Sequence, residues 1–257
     1  MADVRRTDEG GVLTVTFTRD DKLNAVTPEM LAALQEAVTD LAENADARVL
    51  VITAEGRHFT AGMDITTLAA QGGGEGSVLR RNYRRLHLLF DEIEAIEKPV
   101  VLAAQGPCRG FGVELAASCD FRICSDRAVF GLPEIANLAV LPGSGGISRL
   151  TRLIGPHWTK WIAMAGREVG AEQALTIGLV HAVHPDAELV AAVRALTDSL
   201  VALSGEALGL AKLGISAAAS ADRASARDVD RMANTLLLTS PEHKAKMEAF
   251  GSRPVKR

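Results

Sequence analysis

Two glutamates stand beside glycine-rich turns in this chain: Glu114 in "CRGFGVELAASCD" and Glu134 in "FGLPEI", twenty residues further on. In the first stretch Gly110 and Gly112 bracket Phe111. With no side chains on either side of the turn, a ligand can approach the main chain, and the first amides of the helix that follows have no intrahelical acceptor. Donors of that kind stabilise a developing negative oxygen, by about 3 kcal/mol each in a transition state. "FTAGMD" repeats the arrangement, since Gly62 clears space and the amide of Met63 follows. Two such donors around one carbonyl oxygen would form an oxyanion hole. Two carboxylates facing one cavity would divide the acid–base work, one taking a proton from water and the other delivering a proton to carbon, and close approach would couple their titrations. Taken singly, each feature has a plainer reading. Glycines make tight turns, Glu114 suits the positive end of a helix dipole, and Asp64 reads as the cap of the helix "ITTLAA".

Other chemistries fit the chain poorly. "PGSGGISRL", Pro142 to Leu150, has the glycines of a phosphate loop without its Lys and Ser/Thr, and "GFGVEL" lacks the third glycine of a dinucleotide fingerprint. No GxSxG elbow is present, and the six histidines show no metal spacing with acidic partners. Cys108, Cys119 and Cys124 have neither CxxC spacing nor neighbouring histidines, so buried, reduced thiols are expected rather than a metal site. A formal net charge of -4, with no concentrated basic stretch interleaved with aromatics, argues against nucleic acid as a partner. The N-terminus lacks a secretory pattern and no apolar run is long enough to span a bilayer, so the expectation is a cytoplasmic protein without a membrane partner.

The elements that must position these residues follow from periodicity. In "GVLTVTFTRD" Leu13, Val15 and Phe17 alternate with Thr14, Thr16 and Thr18, which predicts a strand with one buried face. Thr27 then caps a helix with Pro28 in its first turn and Leu31, Leu34, Val38 and Leu41 on one side. Val49 to Ile52 and Val100 to Ala104 predict fully buried strands, with a helix ending near Glu97 between them, and Phe121 to Val129 predicts another strand. Three loops therefore follow strands and carry glycine plus functional side chains, and in α/β folds such loops converge at the carboxyl ends of the strands. "QGGGEGS", Gln71 to Ser77, reads as a mobile connection. From about residue 187 the pattern is helical almost throughout, with Pro241 introducing the last helix. The chain of 257 residues thus divides into an α/β core, 1–186, and a helical region, 187–257, suited to covering a neighbouring subunit.

In their order, "RDDKLNAVT", "GRHFTAGMDI", "KPVVLAAQGPCRGFGVELAASCDFRICSDRAVFGLPEI", "LPGSGGISRLTRLIG", "AEQALTIGLVHAVHP" and "SPEHKAKMEAF" make a chain that resembles the enoyl-CoA hydratase/isomerase, or crotonase, superfamily from its first strand to its last helix. The resemblance implies a spiral core of repeated ββα units with a helical C-terminal trimerisation region, assembled as a homotrimer or a dimer of trimers. It implies an acyl-CoA thioester as substrate, its carbonyl held by backbone amides matching Met63 and Phe111. Lys22 and Leu23 match the stretch that contacts CoA, while Ala61, Asp64 and Ile65 lie beside the acyl-pantetheine path and Gly110 in the turn at the carbonyl. Glu114 and Glu134 match the two acids of members that hydrate a 2-enoyl-CoA, without metal or redox cofactor. Relatives that only shift a double bond commonly manage with one acid at the Glu134 position, which places hydration ahead of isomerisation. A crotonase-fold hydrolase or decarboxylase, or an acyl-CoA-binding scaffold, are the other readings. The chain departs from the family pattern twice. Phe111 stands where a small residue is usual, which could narrow the acyl pocket or alter the turn. "IANLAVL", between Glu134 and Pro142, runs one residue longer than usual, which could move Glu134 or reshape the pocket wall.

Overall fold

The computed structural model describes residues 3–67 and 75–251. Of the glycine-rich segment expected to be a mobile connection, residues 71–74 lie outside the described residues, whereas Gly76 and Ser77 already form the first turn of a helix, α2 (Gly76–Ala95). The chain opens with a hairpin of β1 (Val4–Glu9) and β2 (Val12–Phe17). Its two connecting glycines, Gly10 and Gly11, have φ of 60° and 83°, as a two-residue hairpin turn of matching twist requires. Periodicity does not reveal β1, because "VRRTDE" is polar and mostly exposed, and β1 is a strand only because it borders β2.

After α1 (Pro28–Glu43), capped by the Thr27 hydroxyl, the chain alternates between two sheets. β3 (Val49–Ala54), β4 (Val100–Ala104), β6 (Phe121–Ser125) and β9 (Ala182–His184) extend the hairpin into a six-stranded sheet of order β1-β2-β3-β4-β6-β9, parallel from β2 onward. β5 (Cys108–Arg109), β7 (Val129–Gly131) and β8 (Val169–Gly170) form a second, smaller sheet. The segment 121–129, expected to be one strand, is two strands in different sheets, separated by a turn at 126–128. Each pass of the chain therefore runs strand, strand, helix: β4, β5, then α3 (Phe111–Ser118), and next β6, β7, then α4 (Glu134–Leu138). α5 (Gly146–Thr159) and α6 (Ala171–Thr176) follow. These passes are the ββα spiral expected of a crotonase fold.

Both faces of the large sheet are covered, which explains the unbroken apolar runs of β3 and β4. Leu50, Ile52, Val100, Leu102 and Ala104 point into the main core with Phe17, Met30, Leu34, Phe59, Phe90 and Phe111. Their neighbours Val49, Val51, Val101 and Ala103 point the other way and pack with Leu189, Val193 and Leu200 of α7 (Leu189–Val201). α7 lies beyond the expected 186/187 boundary, yet it covers the sheet. α8 (Gly205–Ser220), whose Leu208 also packs against this cluster, α9 (Arg223–Thr239) and α10 (Pro241–Gly251) follow. Lys212 of α8 ties them to the core, donating to Asp120 at 2.7 Å and to the Ile93 carbonyl at 2.8 Å. The three cysteines are buried and free, and burial pushes the Cys119 and Cys124 thiols up to about 12. No single helix among the described residues is long and apolar enough to cross a membrane.

Phe90 is fully buried and its ring centroid lies 5.3 Å from that of Phe111. Phe90→Ala is expected to cost about 3–5 kcal/mol, in line with other truncations of buried aromatics. Urea unfolding measures this, and a loss below about 1 kcal/mol would contradict the packing described.

Candidate active site

Three loops meet where the strands end. The first, residues 19–26, turns through two non-glycine residues in the left-handed region, Leu23 (φ 55°) and Asn24 (φ 52°). Asn24 holds this shape: its side chain accepts from Arg19 N at 2.8 Å and donates to the Glu55 and His58 carbonyls at 2.9 and 2.8 Å. The loop pairs with the second, residues 59–64, through Ala61 N to Leu23 O and Val26 N to Gly62 O, at 2.9 and 2.8 Å. That second loop bonds on its other side to the third, through Arg109 N to Thr60 O at 3.0 Å. The two glycine turns come together here. A side-chain carbon at Gly62, whose φ is 102°, would lie 3.8 Å from Phe111 N and 3.7 Å from the Gly110 Cα.

The amides of Met63 and Phe111 flank this contact. Met63 bridges Val26 through its neighbours' groups, Gly62 O and Asp64 N, so its own N–H takes no part. Phe111 N is the first amide of α3 and lacks an intrahelical acceptor. Gly110 (φ 53°) has a backbone that L side chains rarely adopt, and a carbon there would fall 2.7 Å from Glu134 Oε1 and displace that carboxyl. The glycine is what lets the Glu134 carboxylate approach the turn.

The two glutamates occupy contrasting surroundings. Glu114 is 3% exposed and does not cap its own helix. Its Oε1 accepts from Ser144 N at 2.8 Å and Gly146 N at 3.0 Å, at the N-terminus of α5, where the helix dipole also favours an anion. Burial raises its pKa and these two amides oppose the rise. Glu134, the first residue of α4, has its Oε2 buried with no hydrogen-bond partner among the described residues. Burial, reinforced by repulsion from Glu114, pushes it up to about 7. Burial thus raises both carboxyls, and two amides of the α5 N-terminus oppose the rise at Glu114.

The remaining predicted residues fall in different places. Asp64 caps the turn after it, accepting from Thr66 N at 2.9 Å and Thr67 N at 3.4 Å, and binds Arg19 at 2.7 Å. Its bonds to Thr66 and then Arg19 hold it well below the usual carboxylate range. Lys22, Leu23 and Ile65 are exposed. Phe111 does not narrow an open pocket with its side chain: the ring is 1% exposed and packs on Phe90 in the core. The longer stretch after Glu134 turns through a left-handed Ala139 (φ 53°) that closes α4, leaving Leu138, Val140 and Leu141 exposed. Sequence reading missed Asn24, whose role is backbone geometry, and the loop at 142–146 as the seat of Glu114. The signal for the latter was present in "PGSGGISRL": its glycines do make an anion site at a helix N-terminus, but the anion is a side chain of the same protein.

A groove of about 630 Å³ lies elsewhere, between the outer face of the large sheet and α7, lined by residues such as Thr14, Thr53, Leu189 and Val193. None of the predicted site residues lines it, and of its charged residues Arg127 and Asp186 pair with each other at 3.0 Å. The loops around Glu114 and Glu134 hold the unpaired donors and the perturbed acids, and they are the stronger candidate.

Comparison with known proteins gives the chain a family. The family model for enoyl-CoA hydratase/isomerase matches residues 7–253. A short-chain-enoyl-CoA hydratase of Clostridium acetobutylicum is 32% identical over 244 residues, 94% of this chain and 92% of that protein. A crotonyl-CoA hydratase of Syntrophomonas wolfei is 34% identical over 238 residues, 91% of this chain and 89% of that protein. The solved structure of an enoyl-CoA hydratase subunit from Geobacillus kaustophilus superposes with a TM-score of 0.90 at 31% identity, covering 100% of this chain and 98% of that one. Fold, coverage and identity agree, and the chain belongs to the enoyl-CoA hydratase/isomerase family.

Proposed function

We propose that the protein adds water across the double bond of a 2-enoyl-CoA thioester to give a 3-hydroxyacyl-CoA. The observation that carries this reading is the buried, unpartnered Oε2 of Glu134, set beside the Gly110 turn and facing the anchored carboxylate of Glu114. A proton donor and a fixed base on one side of two free amides suit hydration. The thioester oxygen accepts from the Met63 and Phe111 amides, which draws electron density from C3. Glu114, whose ionised form the Ser144 and Gly146 amides favour, orients a water and takes its proton as the oxygen bonds to C3. The electrons of the C2–C3 double bond move to the enolate, and protonated Glu134 delivers its proton to C2. Solvent then returns the pair to its starting protonation.

CoA would run past Lys22, Leu23, Ala61 and Ile65, with Asp64 acting on that path through Arg19 and its own helical turn. Every step uses the chain's own groups, with coenzyme A entering as part of the substrate. Exposed apolar residues on α8, α9 and α10, among them Ile215, Met232, Leu236 and Phe250, support assembly with further copies as a trimer or dimer of trimers.

The relatives' names make crotonyl-CoA the first substrate to try. Loss of the conjugated thioester absorbance is expected with wild type, and Glu114→Gln and Glu134→Gln are each expected to lower kcat by about 10²–10⁴-fold. Full turnover in both variants would remove the glutamates from the mechanism. Conversion of a 3-enoyl-CoA alone would mark an isomerase, release of free CoA or carbon dioxide a hydrolase or decarboxylase, and binding without turnover a scaffold. The raised acid also has a stability signature. Glu134 goes from 4.5 to about 7 on folding, so between those values the folded state holds a proton that the unfolded chain has released. Its contribution therefore lowers stability as pH rises from about 4.5 to about 7, and Glu114, also raised, acts in the same direction. Unfolding midpoints across this range are expected to decline less in Glu134→Gln than in wild type. Equal slopes would mean that folding leaves the ionisation of Glu134 unchanged.

A further inference from the structure

The base is held by a peptide that something else holds in turn. Ser144 N–H, which donates to Glu114 Oε1 at 2.8 Å, belongs to the peptide group whose carbonyl is Gly143 O. That carbonyl is 3.0 Å from Nε2 of His87 on α2, and since a carbonyl only accepts, the imidazole donates. A single chain of hydrogen bonds thus runs from His87 through one peptide to the Glu114 carboxylate. Donation to the carbonyl polarises the amide and strengthens the bond at its far end. We propose that His87 is a positioning residue that aims and strengthens the Ser144 amide on Glu114, and so sets how readily Glu114 serves as base.

The surroundings suit that role. From α5, Arg149 reaches the next peptide, donating to Ser144 O at 2.9 Å, so the two consecutive carbonyls of the loop are each held by a nitrogen side chain. Around Gly145 the imidazole lies close to the backbone: a side-chain carbon there would sit 3.2 Å from Cε1 and 3.3 Å from Nδ1 of His87, next to the Arg149 guanidinium. The charged and titratable groups around the imidazole are Glu114 from α3, Arg149 from α5, and Tyr83, Arg84 and Asp91 one turn away on α2 itself. Arg149 is committed to Asp91, to Glu94 at 3.0 Å and to Ser144, while the Tyr83 ring covers Gly143. Burial raises the pKa of Glu114, the Ser144 and Gly146 amides oppose the rise most, and His87 adds a smaller lowering.

The inference rests on Glu114 acting as the base, and the test separates the two. His87→Leu removes the donor, His87→Asn is polar but too short to reach, and His87→Gln returns an N–H near the position of Nε2. With crotonyl-CoA, the Leu and Asn variants are expected to lose about 10–100-fold in kcat with KM changed by less than about threefold. The acid limb of kcat/KM is expected to move to higher pH in both, because a less strongly held Glu114 ionises later. His87→Gln is expected to restore kcat to within about fivefold of wild type and to return the acid limb. If one of the Leu and Asn variants does not fold, the other serves. Wild-type kcat with an unmoved acid limb in Leu or Asn overturns the inference, as does a Gln variant no better than they are. Glu114→Gln assayed alongside tells which statement has failed: full turnover there removes Glu114 as base, whereas loss there beside a fully active His87→Leu counts against His87 alone.

Discussion

The site depends on burying the carboxyl group of Glu114, which is 3% exposed. An ionised carboxyl in a core is costly unless hydrogen bonds and opposing charge replace its hydration. Here the replacement comes from the first amides of α5 and the dipole behind them. Those donors exist only if the 142–146 loop delivers the start of α5 against α3. Arg149 is the main device for this, since its buried guanidinium binds Asp91 and Glu94 on α2, covers the Phe90 ring at 5.6 Å and donates back to Ser144 O. The spiral of strands brings α3 to the sheet, and this cluster brings α5 to α3.

Burial raises both acids, and backbone geometry decides what opposes the rise in each. Glu114 receives two N–H bonds, while Glu134 sits at the first position of a five-residue helix with one oxygen unsatisfied. Burial without donors raises an acid; burial with donors leaves it closer to its ordinary value. The proximity of the pair widens the difference, because ionising one makes ionising the other harder. The proposed division of labour between base and proton donor starts from these two settings, with His87 proposed to adjust the first.

Legibility in the sequence followed the kind of physics involved. Strands buried on both faces, such as Val49–Ala54, and capped amphipathic helices, such as Pro28–Glu43, express their environment in hydrophobicity and were readable locally. β1 was not, because its polar residues say nothing about pairing, and the break between β6 and β7 was not, because both are apolar although they join different sheets. Gly62, Gly110 and the two glutamates announced chemistry, but their meeting depends on contacts 20 to 70 residues apart that no local pattern contains. Asn24 and His87 were invisible for the same reason: each acts by holding a carbonyl or amide far from it in sequence.

Phe111 shows how packing and chemistry become one constraint. By itself a bulky residue between two glycines suggests an obstruction at the carbonyl. Its ring instead fills the core against Phe90, which fixes the Cα and the amide that precedes it. An oxyanion donor is effective in proportion to how little it must reorganise during the reaction. A small residue at the same point would leave the amide tethered by glycine on both sides, with no side chain to hold the turn. Burying the phenyl group supplies that anchor from the interior, so the rigidity of the proposed donor rests on the same aromatic contact that stabilises the fold, and the face toward the proposed ligand stays bare backbone.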